Sequence, residues 1–268
     1  MAVTFRTFKK MISMKRVFVS EASVGFLLVF ASILCLGQSD IETRAAELSK
    51  ALVNGHIAWR TKLSSGGASI EAKEAERQSG FVKYYLLVSG LPTDELYSVM
   101  SWPVGQQKPA TIMEGVSIGK DGMVICAART PEQCGDPSKK DDPIDFGFNP
   151  TKGEPYRLAL VAGEHRAAIV IVPDPIVAKD KDCTLSVERL LPGFELAYFS
   201  GNGFPPNNEA TFDSESYGER HPIRAKADNE GHIQFAVLPG VSGHQKGRTK
   251  VKGVGMKCSP SLQFDWGK

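Results

Sequence analysis

No Gly-x-Ser-x-Gly elbow occurs in this chain; Gly240-Val241-Ser242-Gly243 has neither the spacing nor the strand-to-helix setting that exposes a nucleophilic serine. Histidine is scarce. The five present (His56, His165, His221, His232, His244) stand apart from one another, and they read as solvent-exposed loop residues. No cysteine has a Cys or His partner two to four residues away, so the usual zinc spacing is missing. The Asp-x-Asp-x-Asp-Gly alternation of an EF-hand is missing too. These absences exclude local catalytic and metal motifs, although a sandwich can still assemble a triad from distant loops.

Long apolar runs are also lacking. The run Val24–Leu36 is shorter than the roughly 20 residues that span a bilayer. Lys9, Lys10, Lys15 and Arg16 precede it, and Gly37 and the polar Gln38-Ser39-Asp40 follow. A basic stretch, a short apolar stretch and a small residue at the boundary make residues 1–37 a secretory signal peptide. Glu21 stops the run from extending upstream into an anchor, and Leu34 is an unsuitable neighbour for lipidation of Cys35. Met14, just ahead of Lys15-Arg16, offers an alternative start. The expected location is therefore secreted, periplasmic or extracellular, with no membrane span after cleavage.

Surplus positive charge is absent once the leader is set aside. Residues 1–37 carry five bases and one acid out of totals of 32 and 30, which leaves 27 against 29 and a net charge of −2. Nothing there favours nucleic acid, whose phosphates need clustered Lys and Arg. Cysteine is sparse as well. Cys35 leaves with the leader, and Cys126, Cys134, Cys183 and Cys258 remain, an even number in an oxidising compartment. Of the three possible connectivities, Cys126–Cys134 with Cys183–Cys258 staples one loop and spans one domain. Chain entropy assigns these closures roughly 2.5 and 4.5 kcal/mol.

What the chain has in quantity is short alternating apolar runs punctuated by glycine and proline, the all-β signature. Ser39 and Glu42 form a capping box, and Ile41, Ala45, Leu48 and Leu52 recur at helical spacing. This predicts a helix from about Asp40 to Val53, stopped by Asn54-Gly55. Ile57, Trp59, Thr61 and Leu63 alternate and predict a lead-in strand, so residues 38–66 form an N-terminal helix and strand. Hairpins follow around Gln78-Ser79-Gly80, Lys120-Asp121-Gly122 and Gly163-Glu164-His165, and residues 130–152 read as a loop. Lys179-Asp180-Lys181-Asp182 reads as a charged linker between domains at 67–178 and 182–268.

The second unit echoes the first. Ser89-Gly90-Leu91-Pro92 matches Ser200-Gly201-Asn202-Gly203-Phe204-Pro205, and Asp121-Gly122 matches Glu230-Gly231 at nearly the same offset. The phrases from Phe199 to Glu209, Ala227 to Gly231 and Val237 to Gly240 resemble the immunoglobulin-like modules of bacterial secreted and surface proteins. The likeness covers the last 85 or so residues well and residues 68–178 loosely. No Trp lies between Cys183 and Cys258, a departure from antibody-type domains. The resemblance implies an all-β protein of two consecutive Ig-like β-sandwich domains and, being a fold likeness, implies no activity.

Candidate chemistry is then weighed residue by residue. Asp213, Glu215 and Glu219 lie beside Arg220 and His221, and two facing carboxylates would suit glycoside hydrolysis. Asp136, Asp141, Asp142 and Asp145 crowd one loop, but Lys139 and Lys140 sit among them and repel a cation. Arg248, Lys250 and Lys252 alternate and would line one face of a strand, as a stripe for an acidic glycan or as protection of an edge. Among the aromatics, Tyr84, Tyr97, Tyr198, Phe199 and Phe212 read as core, whereas Trp102 and Phe204, beside turn prolines, are candidates for exposure. The sequence thus predicts a secreted, non-catalytic binding or structural protein of the cell envelope or extracellular space. It needs no cofactor or metal, and its partner is an envelope protein or glycan docking on Arg248, Lys250, Lys252, Trp102 or Phe204. The competing expectation is a secreted glycan or peptide hydrolase using the Asp213–His221 segment.

Overall fold

The computed structural model describes residues 2–3, 46–127, 142–191 and 196–267. The leader beyond residues 2 and 3, the Ser39 cap, Asp136, Asp141 and Cys134 lie outside them. Helix α1 runs through residues 46–62, and everything after it is antiparallel sheet. A two-residue strand β1 (Ala2–Val3) lies parallel to Phe235 and Ala236.

The first unit holds β2 (Ser69–Gln78), β3 (Phe81–Ser89), β4 (Tyr97–Ser101), β5 (Ala110–Ile118), β6 (Val124–Cys126), β7 (Asp145–Phe148), β8 (Tyr156–Ala162) and β9 (His165–Ile171). They make two sheets, β2-β3-β7 and β6-β5-β4-β8-β9. The second unit holds β10 (Ile176–Asp180), β11 (Cys183–Leu191), β12 (Leu196–Asn202), β13 (Glu209–Ser216), β14 (Glu219–Lys226), β15 (Ile233–Val237), β16 (Lys246–Val254) and β17 (Ser261–Gly267). Its sheets are β10-β11-β12-β15 and β14-β13-β16-β17.

Both units follow one path. An opening hairpin is followed by a crossing to the second sheet, a return to pair with the hairpin's second strand, and a second crossing to the closing hairpin. In immunoglobulin lettering this is A-B-E against C′-C-F-G, with β6 added outside C′ in the first unit and β10 outside A in the second. Alternation drives it. β3 buries every second residue (Val82, Tyr84, Leu86, Val88), as does β13 (Ala210, Phe212, Ser214, Ser216), and these inner faces fill two separate cores.

The repeat seen in the sequence has a physical basis. Gly90 and Gly203, each just after its unit's second strand, have φ of +76° and +79° and press on the backbone at the start of the first strand, at Ala68 and at Asp182-Cys183. Beyond them, Gly122 and Gly231 each accept a hydrogen bond from that turn region, from Val88 N–H at 2.8 Å and Phe204 N–H at 3.2 Å. A side chain at Gly90 or Gly203 would be strained by its φ and blocked by that backbone.

Three sequence expectations are corrected. Residues 179–182 are not a linker: Asp180 pairs with Cys183 across a tight turn with Lys181 at φ +53°, so β10 belongs to the second unit and the junction falls at Pro173-Asp174-Pro175. The predicted lead-in strand is helix. Gly55 does not stop α1, because it serves packing: a Cβ there would stand 2.5 Å from the Trp102 ring. The apolar period in fact continues through Leu52, His56, Trp59 and Leu63, with a histidine occupying one core position. Trp102 and Phe204, candidates for exposure, are buried at 6% and 2%. Trp102 lies under α1, and Phe204 turns into the second core beside Phe212.

α1 is therefore a wedge. Leu48, Leu52, Val53, Ile57 and Trp59 pack between the outward face of β4-β8-β9 (Met100, Ala159, Val170) and that of β11-β12-β15 (Leu190, Tyr198, Ala236), making a third core. The Trp59 indole N–H donates to the Leu158 and Ile169 carbonyls at 3.2 and 3.3 Å, which fixes the helix on the first unit. We expect Gly55→Ala to destabilise the protein by about 1–3 kcal/mol through overpacking, despite a gain of about 1 kcal/mol in helix propensity. A urea titration checks this, and an unchanged or raised midpoint would show that Trp102 does not need that space.

Candidate functional site

Titratable side chains gather in two places: inside the junction between the units and on the outward face of the second unit's C′-C-F-G sheet.

At the junction, α1 supplies His56 and Arg60, β8 supplies Arg157, and β11 and β12 supply Glu188 and Tyr198. Arg157 Nε donates to His56 Nδ1 at 2.9 Å, and a second guanidinium nitrogen donates to the Trp102 carbonyl at 3.1 Å. The guanidinium carbon also stands 4.7 Å from the centre of the Trp102 ring. A nitrogen that accepts cannot carry the proton, so the His56 proton sits on Nε2, which faces Glu188 Oε2 at 3.2 Å. Arg60 pairs with the other Glu188 oxygen from the solvent side. The Tyr198 ring meets His56 edge-on at 5.0 Å.

Burial governs the protonation states. His56 is fully buried, and desolvation holds it below its ordinary value of 6.5 against the pull of Glu188. Burial pushes Arg157 down to about 10, which leaves it charged at neutral pH. Burial alone would raise Glu188, but the close His56 imidazole and the two guanidinium charges hold it below the ordinary range. A histidine beside a carboxylate is the base half of a catalytic triad, yet His56 is sealed from solvent and both its nitrogens face partners. The sequence-based expectation of an exposed loop histidine is corrected here.

A pH dependence follows. The unfolded chain takes up a proton on His56 near 6.5 and the folded chain only below that, so between those values the unfolded state binds more protons. Stability therefore falls as pH drops through 6.5. Denaturation midpoints at pH 7.5 and 5.5 should separate more for the wild type than for His56→Gln. Equal separations would mean that His56 titrates normally.

The outward sheet face carries the charged residues singled out in the sequence. Asp213–Ser216 and Glu219–Lys226 are hairpin strands, not the loop imagined for a hydrolase. Glu215 is ion-paired with Arg220 at 3.0 Å, and the neighbours directly across β16 are Lys250 for Glu215 and Lys252 for Asp213. Arg248 is paired with Asp265 at 2.7 Å. The expected basic stripe thus lies between the acids of β13 and Asp265 of β17. Asp213, Glu215, Arg220, Lys250 and Lys252, with the Gly253–Gly255 segment and Ser259, line a notch of about 420 Å³.

The remaining sequence candidates fall into structural roles. The Cys183–Cys258 disulfide ties the start of β11 to the loop after β16. Cys126 is also disulfide-bonded, while its expected partner Cys134 lies outside the described residues. Asp145 pairs with Lys83 at 3.0 Å. Asp228 Oδ1 accepts from the Glu230 and His232 backbone N–H groups, both at 2.9 Å, which builds the turn at Gly231. Among the described residues no cluster of three or more His, Cys, Asp or Glu is placed to hold a metal, and no helix is long and apolar enough to cross a membrane.

No family model matches the chain, and no curated protein matches it. Among solved structures, one described as "Structural insight into host cell surface retention of a 1.5-MDa bacterial ice-binding adhesin" is similar at 9% identity with a TM-score of 0.22, covering 75% of this chain. The match spans 63% of that chain.

Proposed function

We propose that this is a secreted, non-catalytic binding or structural protein of the cell envelope or extracellular space, a stiff unit of two sandwiches whose partner is an envelope protein or glycan. The observation that carries the reading is the junction. The histidine and carboxylate that could serve as a base and its orienting partner are consumed in mutual contacts that join helix, first unit and second unit. The Cys183–Cys258 bridge supports an oxidising destination. On the surface, Glu215 is bound to Arg220 and Glu219 stands 3.5 Å from His221, which suits a charged recognition face more than a pair of free catalytic carboxylates.

The test has two arms. Expressed with its leader, the protein should be recovered outside the cytosol, shortened at its N-terminus and without reactive thiols in its native state. A soluble, reduced, full-length product would overturn export. The purified mature protein should show no glycan or peptide hydrolysis that is lost in the Asp213→Asn/Glu215→Gln variant; such a loss would overturn the non-catalytic reading.

A further inference from the structure

We propose that the outward face of the sheet β14-β13-β16-β17 pairs with the same face of a second copy of this chain, in a two-fold dimer whose axis runs along the strands between β13 and β16. The argument starts from columns of charge. Outward positions on β14 are Arg220, Arg224 and Lys226; on β13, Glu209, Asp213 and Glu215; on β16, Arg248, Lys250 and Lys252; on β17, Gln263 and Asp265. Read across the sheet, the first three columns run positive, negative, positive, and the fourth holds one acid, Asp265, paired with Arg248.

Rotation about an axis parallel to the strands reverses the order of the columns and keeps each residue's height. The acids of β13 then face the bases of β16 in the other copy, while Arg220 faces the other copy's Gln263. Register makes the match local. Arg220, Glu215, Lys250 and Gln263 share one row, and Asp213, Lys252 and Ser261 share the next. Glu215 therefore meets the partner's Lys250, Asp213 meets the partner's Lys252, and each contact occurs twice, as an isologous interface requires. The other face-to-face two-fold, with its axis across the strands, lays β13 on β13 and β16 on β16 and sets like charges together. The pattern thus selects one geometry.

Charge remains available at three of these four residues, while Glu215 shares its carboxylate with Arg220 of its own sheet. No described residue is in ion-pair contact with Asp213, Lys250 or Lys252, although Asp213 and Lys252 stand directly across from one another on the sheet. Steps along a strand of about 6.8 Å between same-face residues, and about 4.8 Å between strands, give a lattice that a second copy reproduces. The twist of two stacked sheets leaves two adjacent rows in contact at the crossing. Such an interface is electrostatic, and it weakens as salt rises.

The mature protein is examined by sedimentation across salt from about 20 to about 500 mM, over which the screening length shrinks roughly fivefold. The dimer should form at low salt, with its dissociation constant rising by at least about tenfold at high salt. The variants Lys250→Glu/Lys252→Glu and Asp213→Lys/Glu215→Lys should each be monomeric, and an equimolar mixture of the two should dimerise. A chain carrying all four changes keeps its cross-strand complementarity. It should dimerise with itself and not with the wild type, and it is decisive by itself if either paired variant fails to fold. A wild type that stays monomeric at low salt would overturn the proposal. So would folded variants whose association ignores the charge swap.

Discussion

Glu188→Ala is expected to lower stability by about 3–5 kcal/mol, the usual cost of removing one member of a buried ion pair and leaving the other unmatched. Glu188 is 4% exposed and Arg157 3%. Without the carboxylate, Arg157 keeps its hydrogen bonds to His56 and the Trp102 carbonyl but loses its nearby negative charge, and His56 Nε2 loses the carboxylate oxygen it faces at 3.2 Å. Arg60 loses less, because its side chain is 41% exposed and can be hydrated. Glu188→Gln retains an acceptor for His56 and should cost less than alanine. Urea unfolding of both variants checks the order. A Glu188→Ala protein within about 1 kcal/mol of wild type would mean that water already enters the junction.

Removing the Cys183–Cys258 bridge by a double alanine substitution is expected to cost about 4.5 kcal/mol, from the entropy of a closed loop with a sequence separation of 75 residues. Both cysteines are buried, at 0% and 5%, and they cap the end of the core that contains Phe204 and Phe212. The second unit should therefore lose more than the first. Hydrogen exchange resolves the difference, with amides of β11 and β16 losing protection before those of β3 and β8. Uniform loss across both units would show that the junction makes the protein unfold as one body.

Most strands could be read from the sequence because their faces alternate between a core and solvent, and hairpin turns such as Asp121-Gly122 mark their ends. The junction could not, because its buried positions are written in polar letters. His56 interrupts the apolar period of α1, and Arg157 and Glu188 sit on strands that are buried on both faces. The near-continuous apolar runs of β8 (Arg157 aside) and β12 are the signal that was there: a strand covered on both sides has no reason to alternate. Trp102 and Phe204 were misread for a related reason. A proline beside an aromatic marks a turn, but the turn alone does not say whether the ring points outward. Arg248, Lys250 and Lys252 alternate in the sequence and share one face of β16, while the acids beside them come from neighbouring strands and appear only once register is known.

The wedge also sets an order of events in folding. α1 leaves the ribosome before strands β2 to β17, yet its hydrogen-bonding partners lie 101 residues downstream at Arg157 and 128 residues downstream at Glu188. Until β11 and β12 are complete, Leu52, Val53 and Trp59 have one wall and no second. Such distant pairing is slow to find and leaves apolar surface open meanwhile. Docking of the helix is thus a late step that waits for the whole chain, and a truncated product ending before β11 would carry a greasy, unpartnered flank.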